Sequence, residues 1–216
     1  MHISEGFLPA SHAVGWTLVS APIAAWSVRR VSRALRQEPR ARLELAAVGG
    51  FAFALSALKL PSVSGSCSHP TGSGLGAILV GPAKMPAIGL AVLLFQALLL
   101  AHGGLTTLGA NLFSLSVAGP LVSWTTFSLC GKAGLPSEAG IFSGTALGNL
   151  ATYAVTAAQL AFAYPDPHSG FSAAFVKFAS IFALTQIPLA ISEGLLTVVV
   201  AKALRRARFS IAEASS

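Results

Sequence analysis

The sequence predicts an all-α integral membrane protein, a bundle of seven helices in which the third is short. Three observations carry that prediction. Of 216 residues, 54% are hydrophobic and 10% are charged, against about 25% charged in an ordinary soluble domain. Mean hydropathy is +0.72. The apolar residues also fall into runs of the ~20 residues that a helix needs to cross a bilayer. These runs are too long and too many for a signal peptide, and residues 1–10 lack the basic region such a signal requires. One transmembrane domain over 1–216 is expected.

The first span is read at 11–34. It carries Ala21, Ala24 and Ala25 around Pro22, a stripe of small residues on which another membrane helix can dock. The second is read at 43–60. A short apolar segment follows at 73–82 and stops at Gly81-Pro82. It is too short to cross the hydrocarbon as an ordinary helix, so it is either a short span shielded by neighbours or a re-entrant element buried in protein. The remaining spans are read at 86–102, 105–130, 138–163 and 172–204.

Counting 73–82 as a crossing puts the termini on opposite sides. Of the 14 Lys and Arg, all but Lys59 and Lys177 then share one face. That face is cytoplasmic by the positive-inside rule. It holds the cluster Arg29, Arg30, Arg33, Arg36, Arg40 and Arg42, then Lys84, Lys132, and the tail with Lys202, Arg205, Arg206 and Arg208. The N-terminus is therefore expected outside and the C-terminus in the cytoplasm. A six-crossing arrangement would strand one basic cluster outside. The net charge of +7 is a membrane-flanking signature, without the aromatic or glycine context of a nucleic-acid surface. Cys67 and Cys130 are expected near opposite faces, with no bridge between them. No internal repeat, low-complexity linker or soluble domain is present. No P-loop GxxxxGK[ST] occurs, so an active transporter would draw its energy from a partner or an ion gradient.

The chain opens Met1-His2-Ile3-Ser4-Glu5-Gly6-Phe7-Leu8-Pro9. A terminal amine, the amide nitrogen of residue 2 and an imidazole on residue 2 can reach one ion together, closing a five-membered and a six-membered ring. His2 is too bulky for the usual removal of an initiator methionine, so Met1 is expected to remain. On the same outer face lies Ser64-Gly65-Ser66-Cys67-Ser68-His69-Pro70-Thr71-Gly72-Ser73-Gly74-Leu75-Gly76. Its glycines and small hydroxyl residues let backbone pack tightly and aim side chains inward. His69 can supply a fourth nitrogen; it can also be a loop histidine bonding its neighbours. Four nitrogens favour square-planar Ni(II), Cu(II) or Co(II) over tetrahedral Zn(II) or oxygen-seeking Mg(II).

A second polar cluster comprises Gln96, His102, Thr106, Thr107 and Asn111, with His102 and Asn111 where two helices meet at the outer face. Amides inside a bundle usually join helices; here they can also hold a ligand imidazole by its other nitrogen. Glu193 is the acid deep in the last span, a functional candidate or a helix-packing group. His12 reads as a solvated or capping residue, Cys67 as a small buried residue or a soft donor, and His168 as part of a hydrophilic turn.

The opening MHISEGFLP, the loop GSCSHPTGSGLGAILVGP, the stretch FQALLLAHGGLTTLGANLFSLSVAGP and the late PLAISEGLL resemble the CbiM/NikM family over nearly the whole chain. Those proteins are the substrate-capturing (S) components of energy-coupling-factor transporters for cobalt and nickel. The resemblance implies seven helices with the N-terminus tucked into the bundle. It implies metal ligation by Met1, His2 and His69, with the serines of that loop, Ser68 among them, and Asn111 in support; the residue reading adds His102 to that support. It implies residence in the bacterial cytoplasmic (inner) membrane. It implies a transmembrane coupling (T) subunit, two cytoplasmic ABC-type ATPases and, in cobalt systems, a small accessory membrane subunit. Ser4 departs from the methionine expected in many relatives and touches no assigned ligand.

The expected function is capture of Co2+ or Ni2+, most of all cobalt for cobalamin synthesis, as transported substrate. No organic cofactor, nucleic acid or catalytic residue is expected; no HExxH or Ser/His/Asp set occurs. The rivals are an S component for an organic vitamin, which needs a larger aromatic-lined pocket, and an ion-gradient-driven secondary transporter. The latter needs several titratable groups along its spans, where Glu193 stands almost alone.

Overall fold

The apolar runs fold as helices. The computed structural model describes residues 2–58, 60–61 and 66–206. Helix α1 spans Ala10–Gln37 and α2 Pro39–Ala57, with α3 at Ser73–Val80. A 3-10 turn over Pro82–Lys84 leads into α4, Met85–Leu99. Helix α5, Leu108–Leu112, runs through a π-helical stretch at Phe113–Ala118 into α6, Gly119–Lys132, as one rod. Helices α7, Ser137–Ala163, and α8, Gly170–Arg206, complete seven helical rods. Among the described residues, three helical segments are both long and apolar enough to cross a membrane on length and composition alone: Pro82–Leu99, Leu108–Lys132 and Gly170–Arg205.

The stretch bearing the first arginines, which bridges the spans read at 11–34 and 43–60, is itself helical. Only Glu38 separates α1 from α2, and its N–H still bonds Ala34 O. Arginine and alanine are strong helix formers, and Pro39 starts the next helix at a position where its missing N–H costs nothing. The fifth rod begins at Leu108, three residues later than the hydropathy suggests, because 100–107 form tight turns around the site described below.

At ~1.5 Å per residue, the 8-residue α3 spans about 12 Å, well short of the ~30 Å hydrocarbon core. It survives because it is enclosed: every residue except Leu79 is buried. It packs on α2, α6 and α7. Its entry turns at Gly72, φ +66°, where a Cβ would stand 2.7 Å from Ala52 Cα. Only glycine fits there.

Three very short strands cap one end of the bundle. They are β1, His2–Ile3, β2, Leu60–Pro61, and β3, Ser66–Ser68, in the order β1-β3-β2. Both pairings are antiparallel, with His2 opposite Cys67 and Ile3 opposite Ser66. The N-terminal segment is thus an edge strand drawn into the bundle. Ile3 drives this, being wholly buried against Leu8, Ala110, Leu160, Phe178 and Phe182. Burial of one such side chain contributes about 1.5–3 kcal/mol.

Contacts sort the loops to two ends. Residues 2–7 meet 66–69 and 102–107, and Tyr164 Oη donates to Phe7 O. At the far end of α8, Lys202 Nζ lies 3.6 Å from Glu138 Oε1, and the Arg205 guanidinium donates to Ser137 Oγ.

Candidate metal centre

The site is built by pairing β1 with β3 and closing both with the turn at 100–107. In that pairing His2 stands beside Cys67, and His69 follows directly on the strand. The turn after α4 passes through Ala101, φ +46°, and Gly103, φ +76°, and presents His102 to the same point. A Cβ on Gly103 would lie 3.1 Å from the His2 ring and 3.2 Å from Asn111 Nδ2, so glycine is needed for approach as well as for conformation.

His2 Nδ1 and His69 Nε2 are 2.6 Å apart. Two ligands at right angles, each ~2 Å from an ion as imidazoles are from zinc, stand about 2.8 Å apart. The observed pair therefore has the spacing of adjacent ligands on one metal. His69 Nδ1 lies 2.7 Å from Pro70 O, a carbonyl that can only accept. His69 is thus the Nδ1–H tautomer, with its Nε2 lone pair facing His2. Cys67 Sγ lies 2.8 Å from His102 Nε2, and one ligand atom from each of His2, Cys67, His69 and His102 falls within 4.8 Å of the others. His2, His69 and His102 are all buried.

His2 and His69 lie in extended segments outside the spanning helices. Burial holds both imidazoles well below their usual range, with neighbouring imidazoles adding to the effect: His69 and His102 on His2, and His102 on His69. Both are therefore neutral near pH 7, which is the ligating form.

Around this cluster the polar residues act on backbone. Asn111 Oδ1 accepts from Ile3 N at 2.8 Å and Asn111 Nδ2 donates to Ile3 O at 3.0 Å. Thr107 Oγ1 donates to the same carbonyl at 2.9 Å. Ser68 Oγ meets Thr185 Oγ1 of α8 at 2.8 Å. On the rim, Gly6 N donates to Thr106 Oγ1 and Thr106 N to the Glu5 carboxylate; the Thr106 hydroxyl first, and then neighbouring backbone N–H groups, hold the Glu5 carboxyl below its usual range.

Glu193 is 1% exposed. Its oxygens accept from Thr71 N at 2.7 Å, Thr71 Oγ1 at 2.8 Å, Gly72 N at 2.8 Å and Asn149 Nδ2 at 2.6 Å. Four donors around one carboxylate tie the loop after His69 to α7 and α8.

Of the residues singled out in the sequence, His2, His69, Ser68, His102 and Asn111 gather here, and Glu193 sits one turn of loop away. Met1 lies outside the described residues. Cys67, weighed as a small buried residue or a soft donor, stands within the donor cluster; its place opposite His2 depends on strand register, which no local pattern reveals. His12 lines an open groove of α1, and His168 sits in an exposed turn. A cavity of about 20 Å3 adjoins His2, lined by Ser56, Thr71, Ser73 and Gln96 among apolar neighbours. That is room for one water, and far below the several hundred Å3 an organic ligand occupies.

The model of the CbiM family, described as the cobalt uptake substrate-specific transmembrane region, matches residues 2–211. The chain belongs to the CbiM family. Curated relatives agree along nearly the whole CbiM length. A cobalt transport protein CbiM of Pelobacter propionicus is 58% identical, covering 95% of this chain and 91% of that one. Those of Anoxybacillus flavithermus and Streptomyces coelicolor are 60% and 56% identical, covering 93% and 94% of this chain and 80% and 88% of theirs. The CbiM architecture is also that of two solved structures. A transition metal transporter superposes with a TM-score of 0.83 at 22% identity, covering 96% of this chain and 93% of that one. A truncated transition metal transporter gives 0.82 at 25% identity, covering 95% and 99%. The CbiM chain is a helical membrane protein of a metal-uptake family.

Proposed function

We propose that the chain captures a divalent transition-metal ion, cobalt above all, in a planar set of nitrogens. The set comprises the Met1 amine, the His2 amide nitrogen, His2 Nδ1 and His69 Nε2. The observation that carries this reading is the pair of buried, neutral imidazoles whose facing nitrogens stand 2.6 Å apart. Planar four-nitrogen coordination suits Co(II) and Ni(II) alike; the family's description as a cobalt uptake region supports cobalt.

The ion is substrate, not a resident cofactor, and the reading needs no organic cofactor and no catalytic residue. Capture by this chain serves an ATP-driven importer of the energy-coupling-factor type, feeding cobalamin synthesis. Its other parts are a transmembrane T subunit, two cytoplasmic ABC ATPases and a small accessory membrane subunit. The chain sits in the bacterial inner membrane with the metal end outside and the basic end in the cytoplasm. The segregation of Arg29 to Arg42 and Lys202 to Arg206 away from the donor cluster supports that orientation.

The test is metal content. Protein purified from cells supplied with cobalt and nickel together should hold close to one ion per chain, chiefly cobalt. His2→Ala and His69→Ala should each hold almost none while remaining folded. An ion retained by both variants would overturn the reading.

A further inference from the structure

An open groove of about 470 Å3 runs between α1, α2 and α4, and its lining side chains are all apolar. They repeat at helical spacing, as Leu45, Gly49 and Phe53 on α2 and Ala87, Ala91 and Phe95 on α4. Residues four apart share one helix face. The two helices run parallel: a Cβ on Gly49 would meet Ile88 Cγ2 at 3.6 Å, and two turns on Gln96 Nε2 donates to Ser56 Oγ. The floor is glycine, and a Cβ on Gly50 would meet nothing within 4 Å. From Leu45 to Phe53 the groove extends about 12 Å at ~1.5 Å per residue. Its mean section is therefore about 40 Å2, against about 80–110 Å2 for a helix 10–12 Å across with its side chains. The slot admits a hydrocarbon chain and is too narrow for a helix.

One end of this groove is positive. Arg42 lies three and four positions before Leu45 and Ala46, and Lys84 stands likewise before Ala87 and Ile88. Both cations thus continue the helix faces that line the groove. Both also stand at helix N-termini, where the peptide dipoles already place positive charge. Helix α2 begins at Pro39 and α4 at Met85, and neither first turn has an acid or a side-chain cap. Among the described residues no ion pair engages Arg42 or Lys84. Residues 29–44 hold six arginines against two acids, Glu38 and Glu44. Trp26, exposed with Arg30 over its ring, marks the depth of this end. Its neighbour Ser27 donates to Ala83 O and accepts from Ala87 N, on either side of Lys84. Tryptophan gathers at the membrane–water interface, so Lys84 lies at headgroup depth and the groove within the acyl region.

We propose that this groove is a binding site for an anionic phospholipid, with one acyl chain along Gly49 and Gly50 and the phosphate on Arg42 and Lys84. A narrow apolar slot that ends in two cations and two positive helix termini complements an amphiphile with an anionic head. Basic pockets between membrane helices hold such headgroups. The site is independent of the metal reading, because none of its residues belongs to the donor cluster.

The experiment is native mass spectrometry of the full chain in detergent, with phosphatidylglycerol and phosphatidylcholine of the same acyl chains added in equal amounts. The unsubstituted chain should prefer phosphatidylglycerol about 25-fold, at about fivefold for each basic residue. Arg42→Gln with Lys84→Gln should abolish that preference. Arg29→Gln with Arg33→Gln removes as much charge from residues two positions either side of groove-lining Val31, which do not share its face, and should keep it. Gly50→Leu should retain neither lipid; leucine there meets open space and favours the helix, so the variant folds. Equal retention of the two lipids by the unsubstituted chain overturns the proposal. So does a preference that survives the Arg42, Lys84 pair of substitutions or falls equally with Arg29 and Arg33. Lipid still held by folded Gly50→Leu overturns it as well.

Discussion

Asn111 bonds both backbone polar groups of Ile3, accepting from its N–H at 2.8 Å and donating to its carbonyl at 3.0 Å. The side-chain amide thereby occupies the place of a neighbouring strand. Strand β1 has β3 along one edge and Asn111 along the other, so His2 is held by its neighbour's backbone on both sides.

Replacing Asn111 by Leu removes both bonds; Thr107 Oγ1 still serves the Ile3 carbonyl, but the buried Ile3 N–H loses its side-chain acceptor, at a cost of about 1–3 kcal/mol. The two lost bonds reach only β1 and leave the apolar packing of Ile3 in place. Asn111→Leu should therefore stay folded, while its cobalt affinity drops at least tenfold. Asn111→Asp, which keeps the acceptor and loses the donor, should be no better. Chelator competition on the two variants checks this; unchanged affinity would mean that Ile3 alone anchors the strand.

Glu193 should behave as a staple, not as a stop on an ion path. Its four donors come from the loop after His69 and from α7, and hydrogen bonds to a charged group contribute about 1.5–3 kcal/mol each. Glu193→Gln turns one acceptor into a donor facing donors. Its melting temperature should fall by several degrees, and cobalt affinity should weaken with it. Uptake lost at unchanged stability and binding would instead assign the carboxylate to ion transit.

Burial sets the pH response. His2 and His69 are held below their ordinary range when folded, whereas in the unfolded chain they take up protons near the usual ~6.5. Below that value the unfolded state binds more protons, so folding stability declines as pH falls, by up to about 1.4 kcal/mol per pH unit per imidazole. Metal-free protein should melt lower at pH 5.5 than at pH 7.5. The difference should shrink in the His2→Ala, His69→Ala double variant. A melting temperature equally sensitive to pH in that variant would place the titrating groups elsewhere.

Cys67 stands near His102, not in the proposed planar set. Cys67→Ser should keep cobalt binding within about threefold, and X-ray absorption of the bound ion should show nitrogen neighbours only. A sulfur neighbour at the ~2.3 Å of metal–thiolate bonds would place Cys67 among the ligands.

The rods were legible because hydropathy and helix propensity are local properties, and the enclosed third helix was visible from its length. The site was legible only as residue types. The strands are two or three residues long, too short for any alternation, and they pair residues 65 positions apart, as His2 with Cys67. Gln96 and Asn111 look alike in sequence, each an amide near the end of an apolar run. One grips an N-terminal backbone and the other donates to Ser56 of α2, a distinction made only by which helices pack together. Glu193 reads as an isolated acid until Thr71, Gly72 and Asn149 are brought to it by tertiary packing.

The central claim is that the chain's own amine and second amide complete the metal's plane, and one inserted residue tests it. A single glycine placed before Met1 leaves every described side chain intact but moves the amine and makes His2 the third residue. The metal content of that protein, measured by mass spectrometry beside the native chain, should fall from close to one ion to almost none. Cobalt retained at the native level would contradict the account and leave the ion to the cluster of His2, Cys67, His69 and His102 alone.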